Sequence, residues 1–273
     1  MNHYHFLLLS LFIIPAFSIL SDFVLLSSIP SITTKQQNVI FSLTNIAENS
    51  QTNFAYNYAE NIGDGRGITF GIIGFTSGTF DGTELIERVK ELDSSNVLAK
   101  YLPAFQAIDK LPHPDGKTSN TKGLSNFIKD FNSHGGDEKV KQAQLEKLKA
   151  LYWNPTISKA EEVGAKYALT VAQLYDICVN HGADGDSKDK GLKQLVQEAI
   201  DKVGNIGSVD EKTWLTALYD VRKAYMESDP TWRDALDRIE MHRRILKTGN
   251  MDLITPLKVT CYGDSFTITG AAP

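Results

Sequence analysis

Glu60-Asn-Ile-Gly-Asp64-Gly-Arg66-Gly-Ile-Thr69-Phe-Gly-Ile-Ile-Gly-Phe75-Thr-Ser-Gly-Thr-Phe-Asp81 is the stretch on which the reading of this chain turns. Ile68 to Phe75 is β-rich but interrupted by Gly71 and Gly74, the pattern of short antiparallel strands joined by glycine turns. Before it, Val39, Ile40, Leu43, Ile46 and Ala47 recur at helical spacing and end at Glu48-Asn49-Ser50. After it, apolar periodicity of three to four residues predicts helices over 82–93, 97–109, 122–132, 136–152, 159–181, 188–203, 209–227 and 230–247. Val259 to Cys261 and Phe266 to Ile268, flanking Tyr262-Gly263-Asp264, read as a closing hairpin. A helical body carrying one small sheet implies an α+β, mainly α architecture, with two lobes and a cleft between them.

The same stretch carries chemistry. Asp64, Arg66 and Thr69 crowd onto a glycine-dense turn, and Glu48 stands at the end of the preceding helix. Two carboxylates on either side of a short strand segment are what acid/base hydrolysis of a glycosidic bond requires. Unpaired carbonyls at a helix C-terminus repel a carboxylate, a setting that suits Glu48 as the proton donor. The bland alternatives are a solvated helix-end Glu and an Asx turn in which Asp64 caps its own backbone. Gly63-x-Gly65-x-Gly67 lacks the Lys-Ser/Thr end of a phosphate loop and the spacing of a dinucleotide fingerprint, so nucleotide binding is rejected.

Three charges interrupt apolar helical stripes further on. Asp176 lies at i+4 from Ala172, Arg222 continues Leu215 and Leu218, and Arg243 continues Leu236 and Ile239. Each is expected to face inward, where buried arginines demand acids, with Asp176 and Glu48 as partners. His181, just before Gly182, reads either as a cation at a helix C-terminus or as a ligand contact at a cleft edge. The Asp184-Gly185-Asp186 loop departs from the calcium-loop pattern, and no His/Cys spacing suggests zinc, so no metal is expected.

With 33 Asp plus Glu against 28 Lys plus Arg, the formal charge of −5 excludes binding driven by phosphate backbones and suits a cationic ligand. Residues 1–18 carry no Asp, Glu, Lys or Arg and hold an apolar run from Phe6 to Ile14 ahead of Pro15. They read as a signal peptide, followed by a linker over 19–36 and a catalytic domain over 37–273, hence a secreted, extracellular monomer with no stable membrane span after cleavage; an uncleaved anchor is the alternative. Cys178 and Cys261 are too few for a disulfide scaffold, and Cys178 falls on an apolar stripe, which favours free thiols.

Ala47-Glu48-Asn49-Ser50, then Tyr58-x-Glu60-x-x-Gly63-Asp64-Gly65-Arg66-Gly67-x-Thr69 and Gly74-Phe75-x-x-Gly78-Thr79-x-Asp81, resembles glycoside hydrolase family 46, the chitosanases. The likeness continues through Lys100 to Pro103, Tyr175-Asp176, His181-Gly182, Asp220-Val221-Arg222, Arg243 and the closing hairpin. It implies a lysozyme-like two-lobed fold and endo-acting, inverting hydrolysis of β-1,4-linked glucosamine polymer without a cofactor. By that resemblance Glu48 is the general acid, Asp64 the general base and Thr69 the hydroxyl that holds the attacking water. Ser50, Tyr58, Arg66, Asp81 and His181 would line the cleft against chitosan or glucosamine oligosaccharides. Asp176, Arg222 and Arg243 would form a charge network behind the acid. Ile68, Phe70 and Phe80 depart from residues frequent in the family, which bears on subsite preference. A catalytically silent glycan-binding protein and a muramidase-like hydrolase are the rival functions.

Overall fold

The computed structural model describes residues 31–185 and 189–273; the leader and most of the proposed linker lie outside the described residues. The first helix, α1 (Thr34–Asn49), starts inside the stretch assigned to the linker. Thr33 caps it: its hydroxyl accepts from Gln36 N at 3.2 Å, and the Gln36 side chain accepts in return from Thr33 N at 3.0 Å. Residues Val39 to Ala47 are all buried, polar ones included, as befits a helix enclosed on every side.

The small lobe follows. Strands β1 (Ala59–Glu60), β2 (Thr69–Phe70) and β3 (Phe75–Thr76) form an antiparallel meander in which Glu60 pairs with Thr69 and Phe70 with Phe75. Against it pack α2 (Asp81–Leu92), α3 (Leu102–Asp109), α4 (Phe127–His134) and α5 (Glu138–Leu148). Phe70 is the centre of this core, with Phe75, Phe105, Phe127 and Phe131 around it at ring-centroid distances from 4.9 to 6.1 Å. Such aromatic pairs each contribute about 0.5–1.5 kcal/mol beyond the area they bury. Ile68 and Phe70 thus point into the lobe's interior, and their departure from the family pattern fills a core.

The large lobe holds α1, α6 (Asn154–Val163), α7 (Ala168–His181), α8 (Leu192–Val203), α9 (Glu211–Ser228) and α10 (Asp237–Thr248). The hairpin of β4 (Leu257–Cys261) and β5 (Asp264–Ile268) closes it. Tyr262 and Gly263 both take positive φ (52° and 90°), the requirement of a two-residue turn matched to strand twist. The single helix expected over 159–181 is broken at Gly164, which takes φ 72° and caps α6. The helix expected over 136–152 ends at Leu148, and a wide π turn, Lys149–Trp153, joins it to α6. Cys178 and Cys261 are buried free thiols.

Gln144 ties the sheet to α5. Its amide accepts from Ile72 N at 3.0 Å and donates to Tyr56 O and Gly135 O at 3.1 and 2.9 Å. This pins the Gly71–Gly74 turn, the part of the small lobe that faces α1 and α7.

Candidate active site

A cavity of about 540 Å3 opens where the lobes meet, with Glu48, Thr44 and Tyr175 on the large-lobe side and Thr69, Gly71 and Gly74 on the other. Tyr58 and Tyr152 also line it. Of the residues singled out in the sequence, the cavity brings together Glu48, Thr69 and Tyr58. Ser50, Asp64, Arg66, Asp81 and His181 are not part of its wall.

Glu48 sits in the last turn of α1, and Ser50 takes the left-handed conformation (φ 53°) that ends the helix. Asn45, one turn earlier, donates from Nδ2 to Gln51 O and Asn53 O, both at 2.8 Å, so the chain leaving the helix is tied back to it. The Glu48 side chain is 39% exposed, and its Oε1 accepts from Arg238 Nη2 at 2.6 Å.

Arg238 is the residue that sequence reasoning missed. The inward-facing arginine on α10 was expected to be Arg243; the structure instead sets Arg243 on Asp220 Oδ1 at 2.6 Å and over the Tyr219 ring, away from Glu48 and Asp176. Arg238, Met241, His242 and Ile245 are the buried face of α10, an i, i+3, i+4, i+7 series that would have found it. Ile239 is buried on the same side, and Arg243, its i+4 neighbour, falls at the edge of that face, 20% exposed, so one marker on a broad buried face did not separate Arg243 from Arg238.

Asp176 is fully buried and grips both arginines. Arg238 Nε and Nη2 reach its two oxygens at 2.9 Å each, and Arg222 Nη1 donates to Oδ2 at 2.6 Å. Burial alone would raise the Asp176 carboxyl, but the Arg238 and Arg222 charges outweigh it and hold the group well below the usual carboxylate range. Arg222 completes its bonding to Asn180 Oδ1 at 3.0 Å and His181 Nε2 at 3.3 Å. His181 is therefore an acceptor; burial, then the Arg222 and Arg238 charges, push it down to about 3. It is wedged edge-on against Trp232 (4.7 Å) and Tyr225 (5.5 Å). Its direct partners are the inner arginine and these rings.

Asp64 lies on the 61–68 connection between β1 and β2. Oδ1 accepts from Arg66 N at 3.0 Å, and Oδ2 meets Arg66 Nε and Nη2 at 2.6 Å. The Arg66 backbone bond, then its side-chain bond, lower the Asp64 carboxyl and keep it anionic. Thr69 begins β2, where strand alternation turns it to the opposite side from Ile68 and Phe70. Among the described residues its buried hydroxyl has no hydrogen-bond partner. Tyr58 donates to Glu60 Oε2 at 3.2 Å at the rim. Asp81 opens α2, and its Oδ1 accepts from Thr79 Oγ1 (2.8 Å), Gly82 N (3.0 Å) and Thr76 N (3.2 Å). Burial raises this carboxyl in spite of those bonds.

Glu48, wired to a buried charge network, and the unpartnered Thr69 hydroxyl share the cavity, while the Asp64 carboxylate stands outside its wall on the adjoining β1–β2 connection. The profile of glycosyl hydrolase family 46 matches residues 42–257. The chain is 36% identical to a chitosanase of Streptomyces sp. (strain N174), over 85% of this chain and 82% of that one. It is 35% identical to a chitosanase of Bacillus subtilis (strain 168), over 80% and 79%. Among solved structures, native chitosanase from Bacillus subtilis MY002 superposes with a TM-score of 0.72 at 31% identity, covering 87% of this chain and all of the other. A mutant of that enzyme complexed with 6 GlcN also superposes with a TM-score of 0.72, at 30% identity over 87% of this chain and 100% of the other. The Gynuella sunshinyii GH46 chitosanase in complex with chitotetraose gives 0.69 at 32% identity, over 86% and 98%. From Ser42 to Leu257, through both lobes and every residue of the charge network, this chain belongs to glycosyl hydrolase family 46.

Proposed function

We propose that this protein hydrolyses β-1,4 bonds between glucosamine units within chitosan, by a single displacement that inverts the anomeric carbon. Glu48 gives its proton to the leaving oxygen, while Asp64 takes one from water attacking the opposite face, steadied by the Thr69 hydroxyl. The observation that carries this reading is the placement of Glu48 and Thr69 on facing walls of the interlobe cavity in a chain of this family. As the proton leaves Glu48, its new negative charge meets Arg238, whose own charge is already engaged by Asp176.

Tyr58, Arg66, Asp81, Ser50 and His181 are assigned to substrate binding. The reaction needs only carboxylates and water. A polymer of this kind is met outside the cell, in keeping with the leader read in residues 1–18, and no helix of the described residues is long and apolar enough to cross a membrane. The protein is proposed to act there as a monomer.

The test is incubation of the purified mature chain with chitosan, chitin and peptidoglycan, with NMR of the first products. Release of α-anomeric glucosamine oligomers from chitosan is expected. Release of β-anomers would overturn inversion, and faster cleavage of peptidoglycan would overturn the substrate.

A further inference from the structure

The connection between α3 and α4 crosses the back of the Asp64 loop. Lys117 Nζ donates to the Asp64 main-chain oxygen at 3.2 Å. Its stem lies over Gly65, where a Cβ would stand 3.5 Å from Lys117 Cε. One residue on, Thr118 N donates to Gly78 O at 3.0 Å, and any Cβ on Gly78 would collide with Thr118 O. Ser77 then binds Ile68 twice, its hydroxyl accepting from Ile68 N and its own N–H donating to Ile68 O, both at 2.9 Å. A Cβ on Gly67 would strike that same hydroxyl and lie 3.7 Å from Asn120 O. The 63–67, 77–78 and 117–120 segments are thus stacked, with no room for a Cβ at Gly67 or Gly78 and with the Lys117 and Ser77 side chains filling the contacts between them. Gly63, Gly65 and Gly67 all take positive φ, a conformation that has few local preferences to hold it.

We propose that Lys117 is a positioning residue for catalysis, its ammonium fastening the Asp64 loop to the 117–120 segment so that the loop keeps one backbone conformation. The assignment rests on Asp64 being the general base. Two cations face Asp64: Arg66 from its own loop, in direct contact with the carboxylate, and Lys117 from the crossing segment. Both lower the Asp64 carboxyl, after the Arg66 hydrogen bonds that do most of it. Lys117 is solvent-exposed, so its charge acts weakly through water and its anchoring contact matters more.

The experiment compares Lys117→Met and Lys117→Arg with the parent, each also in an Asp64→Asn background, reading the pH profile of chitosan hydrolysis. Lys117→Met is expected to lower kcat/KM about threefold to tenfold, as slight misplacement of a reacting group does. It should also move the acidic limb to higher pH by a few tenths of a unit, because the base loses a neighbouring cation. Lys117→Arg should restore both, and in the Asp64→Asn background Lys117→Met should change nothing further. An unmoved limb and parental kcat/KM would overturn the proposal, as would a fall in melting temperature with the limb in place. Should Asp64→Asn itself hydrolyse chitosan at the parental rate, it is the reading of Asp64 as base that fails. The fastening is then judged alone by hydrogen exchange of the 63–67 amides, which Lys117→Met must accelerate for it to stand.

Discussion

Arg238 Nη2 stands 2.6 Å from Glu48 Oε1, joining a residue of the last third of the chain to the end of its first helix. Because Asp176 holds two nitrogens of the same guanidinium, Glu48 is oriented by a group that is itself immobile. The buried ion cluster is therefore both a fold element and the holder of the Glu48 carboxylate.

Removing Arg238 separates the two roles that the sequence assigned to Arg243. Arg238→Ala leaves the fully buried Asp176 with one partner fewer and is expected to destabilise the protein by about 3–5 kcal/mol, with activity lost as well. Arg243, 20% exposed and paired with the half-exposed Asp220, should cost about 1 kcal/mol or less when truncated. Thermal melts of both variants check this; equal losses would mean that α10 is set in another register.

Substitutions at the reacting groups should spare the fold. Glu48→Gln and Asp64→Asn are each expected to lower turnover about a hundredfold or more, the usual scale of acid/base catalysis. Thr69→Val preserves shape while deleting the Thr69 hydroxyl, and should cost less, about tenfold. Turnover on chitosan is the measurement, and near-parental rates for either carboxylate variant would remove it from the mechanism.

Acid should destabilise the large lobe before it protonates the ion cluster. His181 and His242 are driven down to about 3 and about 4, first by burial and then, for His181, by the Arg222 and Arg238 charges. A folded value below the unfolded ~6.5 means that the unfolded chain binds protons first, so stability falls as pH drops from about 6.5 towards 4. Asp176, also depressed, adds its loss only below the unfolded carboxylate value of ~3.9. Melting temperatures between pH 7 and 4 should decline, and His242→Gln should flatten the slope. A slope unchanged in that variant would show that His242 does not contribute.

Much of this was legible because the decisive residues are local. The glycine-rich run fixes a small sheet, and helical periodicity fixes the rest, with Asp176 and Arg222 correctly turned inward at 0% exposure. What failed is what depends on irregular backbone. A π turn separates α5 from α6, and, a matter of face width instead, the buried side of α10 takes in Arg238 and leaves Arg243 at its edge. Lys117 carries no sequence signal, since a lysine in a polar connection is ordinarily a solvated one; only the fold lays it across the Asp64 loop. The burial of His181 behind Arg222 depends on Trp232 and Tyr225, two residues at least 44 positions away in sequence.

Asp81 offers a clean separation of charge from structure. Its Oδ1 accepts three hydrogen bonds that shape the turn into α2, and an asparagine carbonyl can accept the same three. Asp81→Asn should therefore keep the fold within about 1 kcal/mol while deleting one negative charge. If that charge attracts the ammonium groups of glucosamine, affinity for glucosamine oligomers should fall more than affinity for their N-acetylated analogues, which lack the cation. The difference should shrink with added salt, since screening at ~0.15 M already weakens attraction beyond about 8 Å. Titration calorimetry in a Glu48→Gln background, which prevents turnover, measures both ligands. Equal losses for the two would assign Asp81 to the shape of the turn alone and place the cation-recognising carboxylates elsewhere along the cleft.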